Sequence, residues 1–495
     1  MQELWWILMF RLRAQLALMQ LAAVENYGSI AYEYEKNSYP LAMADVLWGQ
    51  PSGLDFLQQI DEQASETQGI DLLSGFTLKG QVRKYFYFGD QLEPAYRQRM
   101  WDAMHAFTLS DPLTRTANPP RKFWSRSTDD CETPVDCRNT DNLRAMRETS
   151  VYLMAEETGN EATRLIYKHY LERYVSTLLD IGMGEWDSPV YHGYTTAAYL
   201  NLYDFAKDPE VKQLAADALD WLYRSAAIKY WRGSWNGPSN RTYGDSAARF
   251  FWLYFGNAPS PDEFERDWIY GLTSDYLPPD DVVAIAQRRF FKPIELQRTH
   301  PHYENWKPEL YGPAFYETVY IGHSYQLGSL VKGTGGDWNG FSLRVAEGSQ
   351  HTDELIVSAQ QPHRIAQYKN LVIWHGAETP ELTYPDGRVE TANGVTFIAC
   401  DQTWIAIHPF EQGFALEVGE RQTGSFASFK QAVANNARLV VEAERVEYRG
   451  SGGKRVAIAP QGNGLPSVWR DGSLHDWQQQ QDSSLRLQEF RPAPI

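Results

Sequence analysis

The chain has 495 residues, 43% of them hydrophobic and 22% charged, which is enough apolar material for two or three globular cores. Its formal net charge of −17 excludes a general nucleic-acid binder, which needs a basic footprint. An anionic partner stays open, because a local cluster of cations outweighs distant, screened charge.

The opening stretch, Leu4-Trp-Trp-Ile-Leu-Met-Phe10 with Arg11 and Arg13 behind it, predicts an amphipathic helix over 4–24. The arginines cut its apolar run. It lacks the basic start and small-residue cleavage site of an export signal and is too short to span a bilayer. No membrane span is expected. The chain reads as cytoplasmic, or as periplasmic or secreted if its N-terminus is truncated.

Helices are predicted over 39–48, 54–64 and 93–107. A segment rich in Pro, Arg, Ser, Thr and Asp follows over 110–139, and loops of that length tend to be functional or disordered. Arg121, Lys122, Trp124 and Arg126 give it a basic, aromatic patch suited to a polyanionic sugar. Cys131 and Cys137 in the same segment are either a loop disulfide or two free thiols. Thr140 then caps a helix with inner face Leu143, Met146, Ser150 and Leu153, ending at Gly159. Further helices run over 161–180, from Ser188-Pro189 through Phe205, from Asp208-Pro209 through Leu222, over 245–255 and over 280–290.

Between residues 182 and 245 two Gly- and Pro-rich loops flank a helical hairpin. Because the two helices run in opposite directions, both loops open at one end of the helical region. That is a way to build a site from loops on a rigid scaffold. The first loop carries Glu185, Trp186, Asp187, Tyr191 and His192. The second carries Trp235, Asn240, Arg241, Tyr243 and Asp245. Trp186, Tyr191 and Trp235 are candidate platforms for sugar rings, and twelve of the 17 Trp lie before residue 313.

Prolines 293, 301, 308 and 313 mark a linker over 296–313, which holds Tyr303 as a further candidate for the cleft. Beyond it the pattern alternates and turns β-branched, as in 340–345, 354–358, 370–374, 395–400, 403–408, 414–418 and 437–442. Turn signals Pro385-Asp-Gly387 and Ala392-Asn-Gly394 separate the runs. This predicts a β-sandwich over 314–477 and a polar tail over 478–495. His323, His375 and His408 fall among these strands, where a buried, bonded histidine is the ordinary case.

A helical region over 1–295 followed by a sandwich resembles the heparinase-like and alginate-lyase-like polysaccharide lyases. Thr140-Asp-Asn142 resembles their helix-borne Asn segment, Tyr191-His192 their His-bearing segment, and Arg241-Thr-Tyr243 their acid region. Leu143 stands where a His often follows the Asn. The resemblance implies an incomplete (α/α) toroid, then an antiparallel β-sandwich. It also implies β-elimination on a uronate-containing acidic polysaccharide. Asn142 would hold the uronate carboxylate from the first turn of a helix. His192, kept neutral by the helix dipole, would serve as base or donor. Tyr243, its pKa lowered by Arg241, would act as acid, and Arg241 could instead clamp the carboxylate. No cofactor and no metal is implied. Two other readings stand beside this one. One is a glycoside hydrolase using Glu185, Asp187 and Asp245, which would need paired carboxylates. The other is a scaffold that binds acidic polysaccharide without cutting it. Sequence sets neither the uronate nor the oligomeric state.

Overall fold

The computed structural model describes residues 2–28, 35–59, 75–110, 141–301, 313–331, 338–347, 351–355, 364–376, 388–462, 464–480 and 493. The first part is mostly helical: α1 (Gln2–Ala22), α2 (Glu35–Trp48), α3 (Pro51–Leu57), α4 (Gly75–Tyr87), α5 (Pro94–Ser110), α6 (Asp141–Thr158), α7 (Glu161–Ile181), α8 (His192–Phe205), α9 (Pro209–Lys229), α10 (Ser246–Phe255), α11 (Trp268–Leu272) and α12 (Asp280–Ala286). Antiparallel sheets follow, so the order of helices then strands is as the sequence predicts. Among the described residues no helix is long and apolar enough to cross a membrane.

Local chemistry sets the helix ends. Asp208 accepts from the backbone N–H of Glu210 at 2.9 Å and Pro209 occupies the first turn of α9. The apolar face below it buries Val211, Ala218 and Leu222. α7 stops at Gly182, whose φ of +89° suits a residue without a Cβ; one there would meet the Thr299 carbonyl at 2.9 Å. α8 starts later than expected. Ser188 folds back to accept from Tyr191 N–H at 3.1 Å, and the helix begins at His192. At the other end of the chain order, Arg13 of α1 donates to the carbonyls of Leu253 and Tyr254, both at 2.8 Å, and so caps α10.

α4 is not among the helices expected from the sequence. α4 carries Lys79, Arg83 and Lys84 on a buried face. Each charge is paired or bonded: Lys79 with Asp267 at 2.7 Å, Arg83 with Asp204 at 2.8 Å, and Lys84 with Tyr96 at 2.8 Å. These buried charges sit among Leu78, Val82 and Tyr85 and break up the apolar stripe of the helix.

The strands form three main sheets. The first is β4 (Ile294–His300), β5 (Phe315–Ile321), β6 (Tyr325–Val331), β8 (Phe341–Glu347) and β9 (His351–Leu355), hydrogen-bonded in that order. Short strands β1 (Tyr230–Trp231), β2 (Ser234–Trp235) and β3 (Ser239–Asn240) lie between α9 and α10, and the short β7 (Trp338–Asn339) precedes β8. The second sheet has six strands: β10 (Ile365–Tyr368), β11 (Leu371–His375), β12 (Arg388–Ala392), β13 (Val395–Ala399), β14 (Thr403–Phe410) and β15 (Gly413–Glu420). After α13 (Phe426–Asn436) come β16 (Arg438–Val441), β17 (Val446–Arg449), β18 (Arg455–Ala459), β19 (Ser467–Arg470) and β20 (Ser473–Leu474), the third sheet. Asn393 and Gly394 turn β12 into β13 with φ of 52° and 78°, the two positive values that a tight two-residue hairpin needs. The turn signal over 385–387 lies outside the described residues.

Alternation along the strands stacks these sheets. Tyr325, Leu327 and Val331 of β6 pack with Val372, Ile405 and Leu416 of the second sheet. The opposite face of the second sheet, with Ile373, Phe397 and Ala406, packs on Tyr448, Val456 and Ile458 of the third, and on Val433 of α13. Leu296, Phe315, Val319 and Ile321 on the outer face of the first sheet join the helical core. The order is therefore helices, first sheet, second sheet, third sheet, with the second sheet in the middle and its β12 edge exposed at Val389. The described strands from Ile294 onward thus form three main antiparallel sheets, where one sandwich over 314–477 was expected.

Two expected boundaries move. β4 begins at Ile294, so the linker expected over 296–313 starts as a strand, and 302–312 lie outside the described residues. The polar tail is packed at its start. The Gln480 amide is buried and donates to the carbonyls of Arg298 at 2.9 Å and Glu317 at 3.1 Å.

Candidate functional site

The 182–245 loops meet the start of α6 and build two separate groups of charged side chains. Glu185 belongs to one, Asp187 to the other.

In the first group, Asp141 and Asn142 open α6 and both touch the loop. Asp141 accepts from Glu185 N–H at 2.6 Å. The Glu185 carboxylate accepts from Asn142 N–H at 3.1 Å and from the Asn142 side-chain amide. The Asn142 donors point at a carboxylate, as a first-turn Asn should, but that carboxylate is the protein's own. Arg241 Nη1 stands 3.7 Å from Glu185 Oε1. That oxygen is buried and has no hydrogen-bond partner among the described residues. Burial first, then the Asp141 charge, push the Glu185 carboxyl up to about 7, against the pull of Asn142 and Arg241.

Arg241 also faces outward. Its φ of 58° is uncommon for a side chain of this size. Its guanidinium donates to the Tyr243 hydroxyl from Nε at 3.0 Å and also from Nη2, which reaches the Tyr191 hydroxyl at 3.4 Å. The Tyr243 hydroxyl donates to the Tyr191 oxygen at 2.6 Å. Tyr243 is 55% exposed, so the pair forms the open side of the group. The expected lowering of the Tyr243 pKa is overridden. Burial and the bond to Tyr191 raise it above the usual phenol value, and Arg241 offsets only part. Asn240, next to Arg241, is buried, and neither of its amide atoms has a partner among the described residues.

The second group lies between the helices and the first sheet. Asp187 accepts from Ser225 and, at 2.6 Å, from Arg298 Nη1. Lys229 donates to Glu317 and stands 3.3 Å from Asp187. His300 Nε2 meets Glu317 at 2.8 Å. Burial opposes ionisation of Asp187, but Arg298 and Lys229 outweigh it and hold the carboxyl well below its usual range; Glu317 shifts the same way. Asp187, His300 and Glu317 offer three ligand atoms within 4.8 Å of one another. Lys229 and Arg298 already neutralise both carboxylates, so this donor set does not fit a further cation.

His192 goes with this second group. It is fully buried, Nε2 bonds the Leu222 carbonyl at 2.9 Å, and Trp235 and Phe251 wall the ring at 5.6 Å. It is neutral, as expected, with its pKa lowered to about 4. Burial is the main cause, where the helix dipole was the expected one. None of these contacts reaches Asn142, Arg241 or Tyr243, so His192 sits in a packing position where a catalytic one was expected.

Trp186 and Trp235 are corrected in the same way. Trp186 is 0% exposed and stacks on His300 at 4.8 Å. Trp235 is buried and its Nε1 donates to the Asp187 carbonyl at 2.8 Å. Neither presents a face to a sugar. Tyr191 does remain at the mouth. Asp245 pairs with Arg249 at 2.7 Å on the surface, so Glu185, Asp187 and Asp245 are not brought to one place. Arg121, Lys122, Trp124, Arg126, Cys131, Cys137, Thr140 and Tyr303 lie outside the described residues. His323 sits in the turn between β5 and β6 and bonds Glu420 at 3.2 Å and the Phe290 carbonyl at 2.9 Å, a structural role.

Sequence reading missed Ser225, Lys229, Arg298 and Glu317. The signal was present in parity. Leu296, Arg298 and His300 share one strand face, as do Phe315, Glu317 and Val319, so charges sit in apolar rows. Compared with known proteins, the chain matches no family model and no curated protein.

Proposed function

We propose that this chain is a polysaccharide lyase that cleaves a uronate-containing acidic polysaccharide by β-elimination. On this reading the helices form an incomplete (α/α) toroid and the first two sheets the antiparallel sandwich. The observation that carries it is the convergence of Arg241 and two touching phenols, Tyr191 and Tyr243, beside a buried carboxylate-binding pair.

β-Elimination needs three things: neutralisation of the uronate carboxylate, removal of the C5 proton and protonation of O4. Asn142 and Arg241 serve the first. The phenol pair serves the other two. Because the Tyr243 pKa is raised, the phenolate is a minor form that grows with pH; one phenolic oxygen, ionised beside the guanidinium, takes the C5 proton, and the other phenol gives its proton to O4. A proton crossing the Tyr191–Tyr243 contact resets the pair. His192 takes no part. The hydrolase alternative needs two carboxylates flanking one bond, and Asp187 and Asp245 are both engaged elsewhere.

The test is near-ultraviolet absorbance during incubation with alginate, polyglucuronate, hyaluronan, heparan sulfate and chondroitin. A rise with one of them, lost in Tyr243→Phe, supports elimination and names the sugar. New reducing ends with no absorbance change would replace it with hydrolysis.

A further inference from the structure

Donors that would receive a uronate carboxylate are already turned on a carboxylate. Asn142 donates to Glu185 from both its backbone and its side chain, and Arg241 stands on the other oxygen. Two ionised carboxylates cannot share one small, buried donor set, because like charges in contact disfavour each other's ionisation. Glu185 must therefore leave or become neutral when an anionic sugar arrives. Leaving is opposed on every side. The side chain is fully buried, the Glu185 backbone N–H is fixed by Asp141, and the next residue is the buried Trp186 stacked on His300.

We propose that Glu185 takes up a proton from solvent as the sugar binds and donates it to one oxygen of the sugar carboxylate, while Asn142 and Arg241 donate to the carboxylates around it. This rests on the uronate reading above and adds a residue in contact with the substrate. The bond formed is Glu185 O–H and the bond broken is that of the solvent or buffer acid that gives up the proton, so the two carboxylates together carry one negative charge in place of two. The groups facing Glu185 allow this. Asp141 from α6 repels a second negative charge, Arg241 from the second loop favours one, and Asn142 is neutral. Asp141 is itself pushed up by burial, with Tyr174 and Arg144 around it. Glu185 thus already stands close to neutral pH, so an arriving anion needs to shift it only a little.

The consequence is a proton-coupled affinity. Above about pH 7, where free Glu185 is ionised, affinity for a uronate oligosaccharide should fall about tenfold per pH unit, since one proton is bound per sugar. The experiment is calorimetry on the full-length chain carrying Tyr243→Phe, which blocks turnover. Alginate and glucuronate tetrasaccharides are titrated in two buffers of different ionisation enthalpy. The expected result is uptake of about one proton per bound sugar at about pH 8, and no uptake when Glu185→Gln is added. Binding without uptake in the Glu185 protein overturns the proposal, and needs no second variant to fold. Uptake that persists in the Glu185→Gln protein overturns it also, by placing the proton elsewhere. No binding of either sugar, with no elimination across the wider panel, overturns the uronate reading and the proposal with it. Elimination together with a flat pH dependence overturns the proposal alone.

Discussion

Glu185 and Asp187 are two residues apart on one loop, both fully buried, and they titrate in opposite directions. The difference lies in what surrounds them. Asp187 meets Arg298, Lys229 and Ser225 at contact distance, from a helix and from a sheet. Glu185 has a neutral amide, a neighbouring acid and one cation at 3.7 Å. Burial alone raises a carboxyl pKa; only close cations reverse it. One carboxylate is thus fixed as a charge that joins two regions of the molecule. The other is left free to change its protonation, which is what functional sites more often require.

The contrast can be broken from the Asp187 side first. Arg298→Met removes the cation between Asp187 and Glu317 and should cost about 3–5 kcal/mol, the usual penalty for orphaning buried charge. Urea unfolding at neutral pH reads this, and a loss under about 1 kcal/mol would mean water reaches the group. On the Glu185 side, Tyr243→Phe should lower kcat for elimination by roughly 10²–10⁴-fold. Its melting temperature should not change, because the ring is half exposed.

pH separates the two carboxylates without changing their neighbours. The folded pKa of Glu185 is raised, so its stabilising contribution is complete below about 4.5 and is lost as pH rises through about 7. Asp187 and Glu317 are lowered, so theirs is present above the ordinary carboxylate value and is lost as pH falls through their folded values. Glu185→Gln should therefore unfold later than the unmodified chain at about pH 8, by up to roughly 3 kcal/mol, and match it near pH 4. Equal shifts at both pH values would contradict the raised pKa. The smallest effect belongs to Asp245→Ala. Its pair with Arg249 is solvent-exposed, so stability should change by less than about 1 kcal/mol and activity should persist. Loss of all turnover there would revive the hydrolase reading.

Much of this arrangement is legible in the chain. The change from helices to strands follows hydrophobic period, and Asp208-Pro209 and Asn393-Gly394 mark their own ends. Arg241, Tyr243 and Tyr191 come together because loops flanking a helical hairpin share an end, and Asn142 joins them from the start of α6 through Glu185. Three features are not legible. Trp186, Trp235 and His192 have the composition of a sugar site but the burial of a core, and aromatic residues serve both. The charged face of α4 and the Asp187 group depend on pairings between residues as far apart as 79 and 267, or 187 and 298, which no local window contains. The third sheet was read as part of one sandwich, because alternation predicts that a strand has two faces and not what covers each.

One small pairing remains to be followed through. β3 (Ser239–Asn240) bonds to β7 (Trp338–Asn339), so the residue just before Arg241 is in register with a strand nearly a hundred positions later. Gly328 allows the same loop to lie close, since a Cβ there would meet Pro238 at 2.4 Å. Arg241 is thus aimed by the strand-forming half of the chain, although it belongs to the helical half. In evolutionary terms the two halves are not interchangeable parts. A recombination that joined these helices to a foreign set of sheets could keep every residue of the site and still lose its aim.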